Sequence, residues 1–295
     1  MILSKTPHKL GSCSKISAQI SKSGSNCQEL ISFVVQTVSN NIKHGIDLTC
    51  LEINGPGDFP YDLSLLEEDD ENSRSLEDLS TKIREKSHRL FVFVSQYYFL
   101  GSQISEVVEE THNLIRRVSY FLEILGQTSP SLIIRVGSAY GNRKETLQRF
   151  VGEIKKINLA SRKMLIVTND EKPSLFSVTD LLSGIYYECK LPICFRSLAH
   201  NFNSGGLTFR EALFLSCSTW ESQDKPVYIH SESSLIDSDG VSKSPVPSDK
   251  LSYRIPIFGL DVDVILDSPS SFSTCIDYMA KSRTLKPMVI NKSSK

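Results

Sequence analysis

The chain has 295 residues, 40% of them hydrophobic, enough for one large core; α/β barrels of about 250 residues commonly form a single domain. Lys and Arg total 33 and Asp and Glu 34, for a net charge of −1. That balance excludes a general electrostatic grip on DNA, though not a local basic groove.

In chain order, residues 9–14 and 48–53 are short apolar runs that read as strands, separated by residues 28–43. There Leu30, Ile31, Val34, Val35, Val38 and Ile42 recur at helical steps. The acidic stretch 65–77, with Glu67, Glu68, Asp69, Asp70 and Glu71 in a row, reads as a solvated loop. A third strand at 90–94 precedes a helix at 104–125, and a fourth at 132–137 precedes a helix at 145–157. A fifth at 164–169 precedes a helix at 178–189. A sixth at 193–197 precedes a helix at 209–217, and strands at 227–231 and 262–267 complete eight. Near-continuous apolar strands alternating with helices imply parallel pairing through right-handed crossovers. Eight such units close most naturally into a single (β/α)8 barrel of the TIM type over residues 1–284, a doubly wound open sheet being the alternative. Residues 231–249, rich in Ser, Asp and Pro, read as a mobile insertion, and residues 285–295 as a flexible tail.

The seven cysteines include no C-x-x-C pair, and Cys189 and Cys194 have no His cluster beside them, so incidental thiols in a reducing compartment are expected. No apolar run nears the roughly 20 residues that span a bilayer, and residues 1–9 are too short an apolar stretch for a secretory signal. An intracellular location, cytoplasm or nucleus, and no membrane association are the expectation.

In an α/β barrel, reacting groups stand at the C-terminal strand ends. Here those ends carry three acids (Asp170, Glu171 and Asp267), two imidazoles (His200 and His230), Asn169, and two arginines, Arg135 and Arg196. A guanidinium has no free lone pair and cannot ligate a metal.

Four blocks carry a resemblance: LIIRVGSAYGNRKETLQRF, MLIVTNDEKPSLFSVTDLL, KLPICFRSLAHN and EALFLSCSTW. Their order and spacing resemble the UV-damage endonuclease family, over about residues 10–278. The resemblance implies an α/β barrel with a cluster of divalent ions, typically Mn²⁺, and metal-dependent nicking of DNA. Carried over by position, the family's ligands fall on Phe93, Arg135, Thr168, Arg196, Ala199 and Tyr228, none of which holds such a metal. His230 and Asp267 remain as metal candidates, and His200 matches a position not expected to ligate. Gln96 and Tyr97 match the family's wedge into damaged DNA, whereas Ser12 and Ile16 do not match its other wedge positions.

The expectation is a catalytically degenerate relative without a cofactor, kept as a binding or structural subunit with a protein partner. In that reading Arg135 and Arg196 replace the lost metal charge by pairing with Asp170, Glu171 or Asp267; a phosphate clamp by the two arginines is the functional alternative. The rival readings are a divergent, active Mn²⁺-dependent nuclease and a DNA-damage binder that does not nick.

Overall fold

The structure is a computed structural model that describes residues 9–16, 27–56, 58–60, 63, 70–94, 96–282 and 284–287. Eight parallel strands hydrogen-bond in the order β1 (Leu10–Lys15), β2 (Leu48–Ile53), β3 (Arg89–Val94), β4 (Leu132–Ile134), β5 (Leu165–Thr168), β6 (Ile193–Arg196), β7 (Val227–His230) and β9 (Asp263–Leu266), and that order closes as a barrel. This is the (β/α)8 fold that the repeating apolar runs imply. By internal packing the chain divides into two compact units, Ser14–Ile166 and Met1–Cys13 with Val167–Lys295.

In the unit Ser14–Ile166, β2 and β3 pair along their whole length, from Leu48↔Arg89 to Ile53↔Val94, and β3 continues to β4 through Phe93↔Ile133. Helix α1 (Cys27–Lys43) buries Leu30, Ile31, Val34 and Val38. The acidic stretch at 65–77 is corrected in part. Residues 64–69 lie outside the described residues, but from Asp70 the chain is helix α2 (Asp70–Glu85), burying Asn72, Leu76, Leu79 and Ile83. Those positions step by three and four, so an apolar stripe hides within a charged sequence. Asp70 and Glu71 also sit in the first turn, where negative charge favours the helix. Helix α3 (Ser105–Ile124) follows β3, and α4 (Arg143–Lys156) and the short α5 (Leu159–Lys163) follow β4. Gly137, just past β4, has φ 109° and would place a Cβ 2.7 Å from the Phe99 side chain. Gly137→Ala is therefore expected to cost about 2 kcal/mol in a urea melt, from backbone strain plus overpacking.

In the other unit, β1 pairs with β9 (Leu10↔Val264), β5 with β6 (Thr168↔Cys194), β6 with β7 (Phe195↔Tyr228) and β7 with β9 (His230↔Leu266). The helical run after β5 is α6 (Val178–Leu181), a π turn (Leu182–Tyr186) and α7 (Tyr187–Cys189), stopped by Lys190 at φ 56°. Helices α8 (Ser197–Phe202) and α9 (Phe209–Cys217) follow β6, and α10 (Ser271–Lys281) follows β9. Ser177 with Asp180, and Thr208 with Glu211, close reciprocal capping boxes that fix where α6 and α9 begin. The Thr-Trp pair ending EALFLSCSTW pins one residue of β6. Thr219 Oγ1 accepts the Ile193 amide at 2.8 Å, and Trp220 Nε1 donates to the Ile193 carbonyl at 3.0 Å.

Residues 231–249 are a built hairpin, where composition reads as a mobile insertion. Ser234 donates its amide to the Val246 carbonyl, Lys243 to Leu235, Asp237 to Val241 and Ser248 to Glu232. The buried Ser233 hydroxyl donates to the Leu235 and Ser244 carbonyls, both at 2.7 Å. Serine here supplies hydrogen bonds to the backbone. The tail expectation is corrected at its start: Lys286 and Pro287 form β10 along β8 (Tyr253–Arg254), and residues 288–295 lie outside the described residues. No helix among the described residues is long and apolar enough to cross a membrane, and among the described residues no cysteine is joined in a disulfide.

Candidate functional site

In the unit that holds β5, β6, β7 and β9, the strand ends bring a group of polar side chains out of the sheet. β5 ends at Thr168, fully buried, whose hydroxyl donates to the Cys194 carbonyl of β6 at 2.7 Å. Asn169, also fully buried, brackets the neighbouring strand: its Oδ1 accepts the Arg196 amide at 2.8 Å and its Nδ2 donates to the Arg196 carbonyl at 3.2 Å. Asp170 is buried, and its backbone is locked on both sides. Its amide donates to the Phe176 carbonyl, and its carbonyl accepts Asn203 Nδ2 at 3.2 Å. Glu171 reaches out to the Arg196 guanidinium, with Oε2 and Nη1 3.4 Å apart. Of the arginine–carboxylate pairs expected from the sequence, this one is formed.

β6 delivers Arg196, and one turn of α8 then carries Ala199 and His200 inward, both buried. The His200 ring packs edge-on against Phe195 at 5.2 Å, with Phe209 at 6.2 Å, and hydrogen-bonds the Leu207 backbone. β7 delivers Tyr228 and His230 on one face, two residues apart. Tyr228 is fully buried and donates its hydroxyl to the Pro256 carbonyl at 2.9 Å. His230 is buried beside the Tyr228 ring at 6.0 Å. Each of the two histidines leaves Nδ1 buried without a hydrogen-bond partner. Burial holds both imidazoles down to about 4 from their usual 6.5, so both are neutral at neutral pH. Asp267 stands half-buried past β9, its amide donating to the His230 carbonyl.

Sequence reasoning missed Glu232, which continues the Tyr228, His230 alternation by one more step. Its buried carboxylate accepts the Ser252 amide at 2.8 Å and the Tyr253 amide at 3.1 Å, fastening the hairpin base to β8. Burial pushes this carboxyl up, against the pull of those amides.

In the unit Ser14–Ile166, Phe93 is buried in β3 and Arg135 is half-buried just past β4. Gln96 is exposed, and Tyr97 is 60% exposed with φ 66°. Ile16 is buried, as is Ser12 of β1 in the other unit.

A divalent-ion cluster needs several carboxylate and neutral imidazole groups converging on one point. His230 has the protonation state a metal requires. The side chains at the ends of β5, β6 and β7 do not suit that role: Thr168 and Tyr228 donate to main-chain carbonyls, and Arg196 brings a fixed positive charge that opposes a cation. Among the described residues no three His, Cys, Asp or Glu side chains form a group that could hold a metal ion. Among the described residues, those at the strand ends do not fit a multinuclear metal centre.

The model of the UV-endonuclease UvdE family matches residues 24–266. A UV DNA damage endonuclease of Clostridium perfringens is 27% identical over 202 residues, 65% of this chain and 47% of that protein. A relative in Acanthamoeba polyphaga mimivirus is 24% identical over 217 residues, 71% of this chain and 63% of that protein. The chain thus spans about half to just under two thirds of these relatives' length. Among solved structures, SacUVDE superposes over 95% of this chain and 100% of its own, with a TM-score of 0.73 at 22% identity. Endonuclease IV from Thermus thermophilus covers 94% and 98%, with a TM-score of 0.61 at 15% identity. At those identities the two structures speak for the fold.

Proposed function

This chain belongs to the UV-endonuclease UvdE family, and from that premise we propose that it is a catalytically degenerate member, retained as a binding subunit that does not cut DNA. One observation carries the reading. At the strand ends where the resemblance puts metal ligands, Thr168, Arg196 and Tyr228 are committed to partners within the chain: the Cys194 carbonyl in β6, Glu171 just past β5, and the Pro256 carbonyl in the loop before β9. Losing a ligand by drift leaves a hole or a loose polar group; these three replacements each close their own hydrogen bonding or charge. Arg196 against Glu171 supports a guanidinium standing in for lost metal charge, in preference to a phosphate clamp. The test is incubation of the full chain with Mn²⁺ and UV-irradiated supercoiled plasmid. No conversion to nicked circles beyond the unirradiated control is expected; lesion-dependent nicking would establish the active alternative, with His230 and Asp267 as the retained ligands.

What a degenerate barrel binds is a separate matter. The hairpin over residues 231–249 holds Leu235, Val241 and Val246 about half exposed on a hydrogen-bonded frame, which supports a protein partner. A second reading, recognition of distorted DNA without cutting, is favoured by Tyr97, an exposed aromatic held at a positive φ beside Gln96.

A further inference from the structure

Charge is unevenly spread in the unit Ser14–Ile166. Residues 143–163, which form α4, α5 and the turn between them, carry seven Lys and Arg against two acids, Glu145 and Glu153, in a chain whose net charge is −1. Part of this charge borders an open groove of about 800 Å³ that α3 forms with α4 and α5 inside this unit. From α3 the groove is lined by Glu109, His112, Asn113 and Arg116, which recur at three- and four-residue steps and so share one face of the helix.

Glu153 of α4 engages both of its carboxylate oxygens in the groove. Its Oε2 lies 2.8 Å from His112 Nε2 of α3, and its Oε1 accepts Lys156 Nζ at 2.6 Å. The carboxylate thus ties the two helices together. Arg116 has no such acid. It is exposed, its guanidinium donates to Asn113 Oδ1 at 3.3 Å on its own helix, and among the described residues no carboxylate pairs with it. Lys156 is mostly exposed, and its ammonium keeps further donors for a second acceptor.

Charge alone would serve many anions; the apolar part of the groove narrows them. Val108, Ile115 and Ile157 line it among the polar groups. Ile104, between the lining residues Gln103 and Ser105, and Leu159, next to the lining residue Asn158, are each more than half exposed. A nucleic-acid backbone has no aliphatic group to offer such a surface, and Glu109 and Glu153 repel its unbroken line of phosphates. A small ligand buries most of its own surface when bound, which an open groove does not provide. An extended peptide that mixes carboxylates with aliphatic side chains matches both features, with a carboxylate on the planar fork of Arg116 and apolar side chains beside it.

We propose that this groove docks an acidic, aliphatic segment of a protein partner, with Arg116 and Lys156 taking its carboxylates and Ile104 and Leu159 its apolar side chains. The inference rests on the reading of the chain as a subunit with a protein partner, and gives that partner a face and a chemistry.

The test is fluorescence anisotropy of the full chain with a labelled decapeptide of Glu, Asp and Leu, beside the same peptide with Gln and Asn in place of the acids. The wild-type chain should bind the acidic peptide and not its neutral form. Arg116→Glu should weaken binding by about 10-fold or more, through one lost charge-assisted contact and one like-charge contact. Leu159→Ser should weaken it by about 3- to 10-fold, part of the value of burying one aliphatic side chain. Arg210→Glu, the same change of charge at an exposed position in the other unit, should leave it within about 2-fold. All three positions are exposed, and circular dichroism checks that the variants fold. Failure of the wild-type chain to bind the acidic peptide, or equal binding by Arg116→Glu, overturns the groove. Displacement of the peptide by undamaged duplex DNA, with Arg116→Glu weakening duplex and peptide alike, overturns it in favour of a nucleic acid. Self-association of the wild-type chain in sedimentation, abolished by Arg116→Glu, overturns it in favour of a second copy. None of these outcomes bears on the loss of cutting, which fails separately if the irradiated plasmid is nicked.

Discussion

Lowering the pH from 7 to 5 is expected to cost this protein about 4 kcal/mol of stability from two side chains, His200 and His230, at about 2 kcal/mol each. Both have their folded-state pKa depressed from 6.5 to about 4 by burial. The unfolded chain takes up protons as pH falls through 6.5, whereas the folded chain does not until about 4. The stability is therefore fully present above the unfolded value and is lost progressively across that window. Glu232 acts with the opposite sign. Its folded pKa is raised, so the folded state gains the proton first and recovers some stability on acidification. Urea midpoints at pH 7 and pH 5 measure the sum. In His230→Gln, about half of the difference between the two pH values should disappear. A midpoint that shifts between pH 7 and 5 as far in His230→Gln as in the wild-type chain would contradict the buried, neutral state of His230.

Trp220→Ala is expected to destabilise by about 3–5 kcal/mol, the cost of deleting a large buried ring and relaxing only partly around the hole. The indole is 8% exposed, and its loss also strips the Ile193 carbonyl of its 3.0 Å donor. Thr219→Val should cost about 1–3 kcal/mol by leaving the buried Ile193 amide unsatisfied. Because both partners serve one residue of β6, the double variant should cost less than the sum. Equilibrium unfolding of the three variants gives the comparison; strict additivity would argue against a shared clamp.

The barrel was legible because its evidence is local. Segments such as Arg89–Val94 and Leu165–Thr168 are apolar on both faces, as buried parallel strands must be. Helix Asp70–Glu85 was hidden because a stripe of Leu76, Leu79 and Ile83 is sparse, and the charged residues around it dominate the composition. The hairpin at 231–249 was hidden because Ser and Pro signal a loop by average behaviour, whereas Ser233 here bonds main-chain groups 2 and 11 residues away. The candidate site was half legible. Which residues stand at the strand ends follows from strand positions. What they do there depends on partners far along the chain: Thr168 reaches Cys194, 26 residues on, and Tyr228 reaches Pro256, 28 residues on. The strain at Tyr97 has no sequence signal, since nothing about a Gln-Tyr-Tyr run specifies a positive φ.

The proposed loss of the family's metal site, with Thr168, Arg196 and Tyr228 bonded instead within the chain, is the step on which the proposed function stands. Its most direct test is the Mn content of the full chain after loading with Mn²⁺ and desalting, read by elemental analysis. The account predicts no Mn above the buffer background, because Arg196 is paired with Glu171 and the hydroxyls of Thr168 and Tyr228 face carbonyls. One or more Mn ions per folded chain would contradict it and show that the chain holds a metal site.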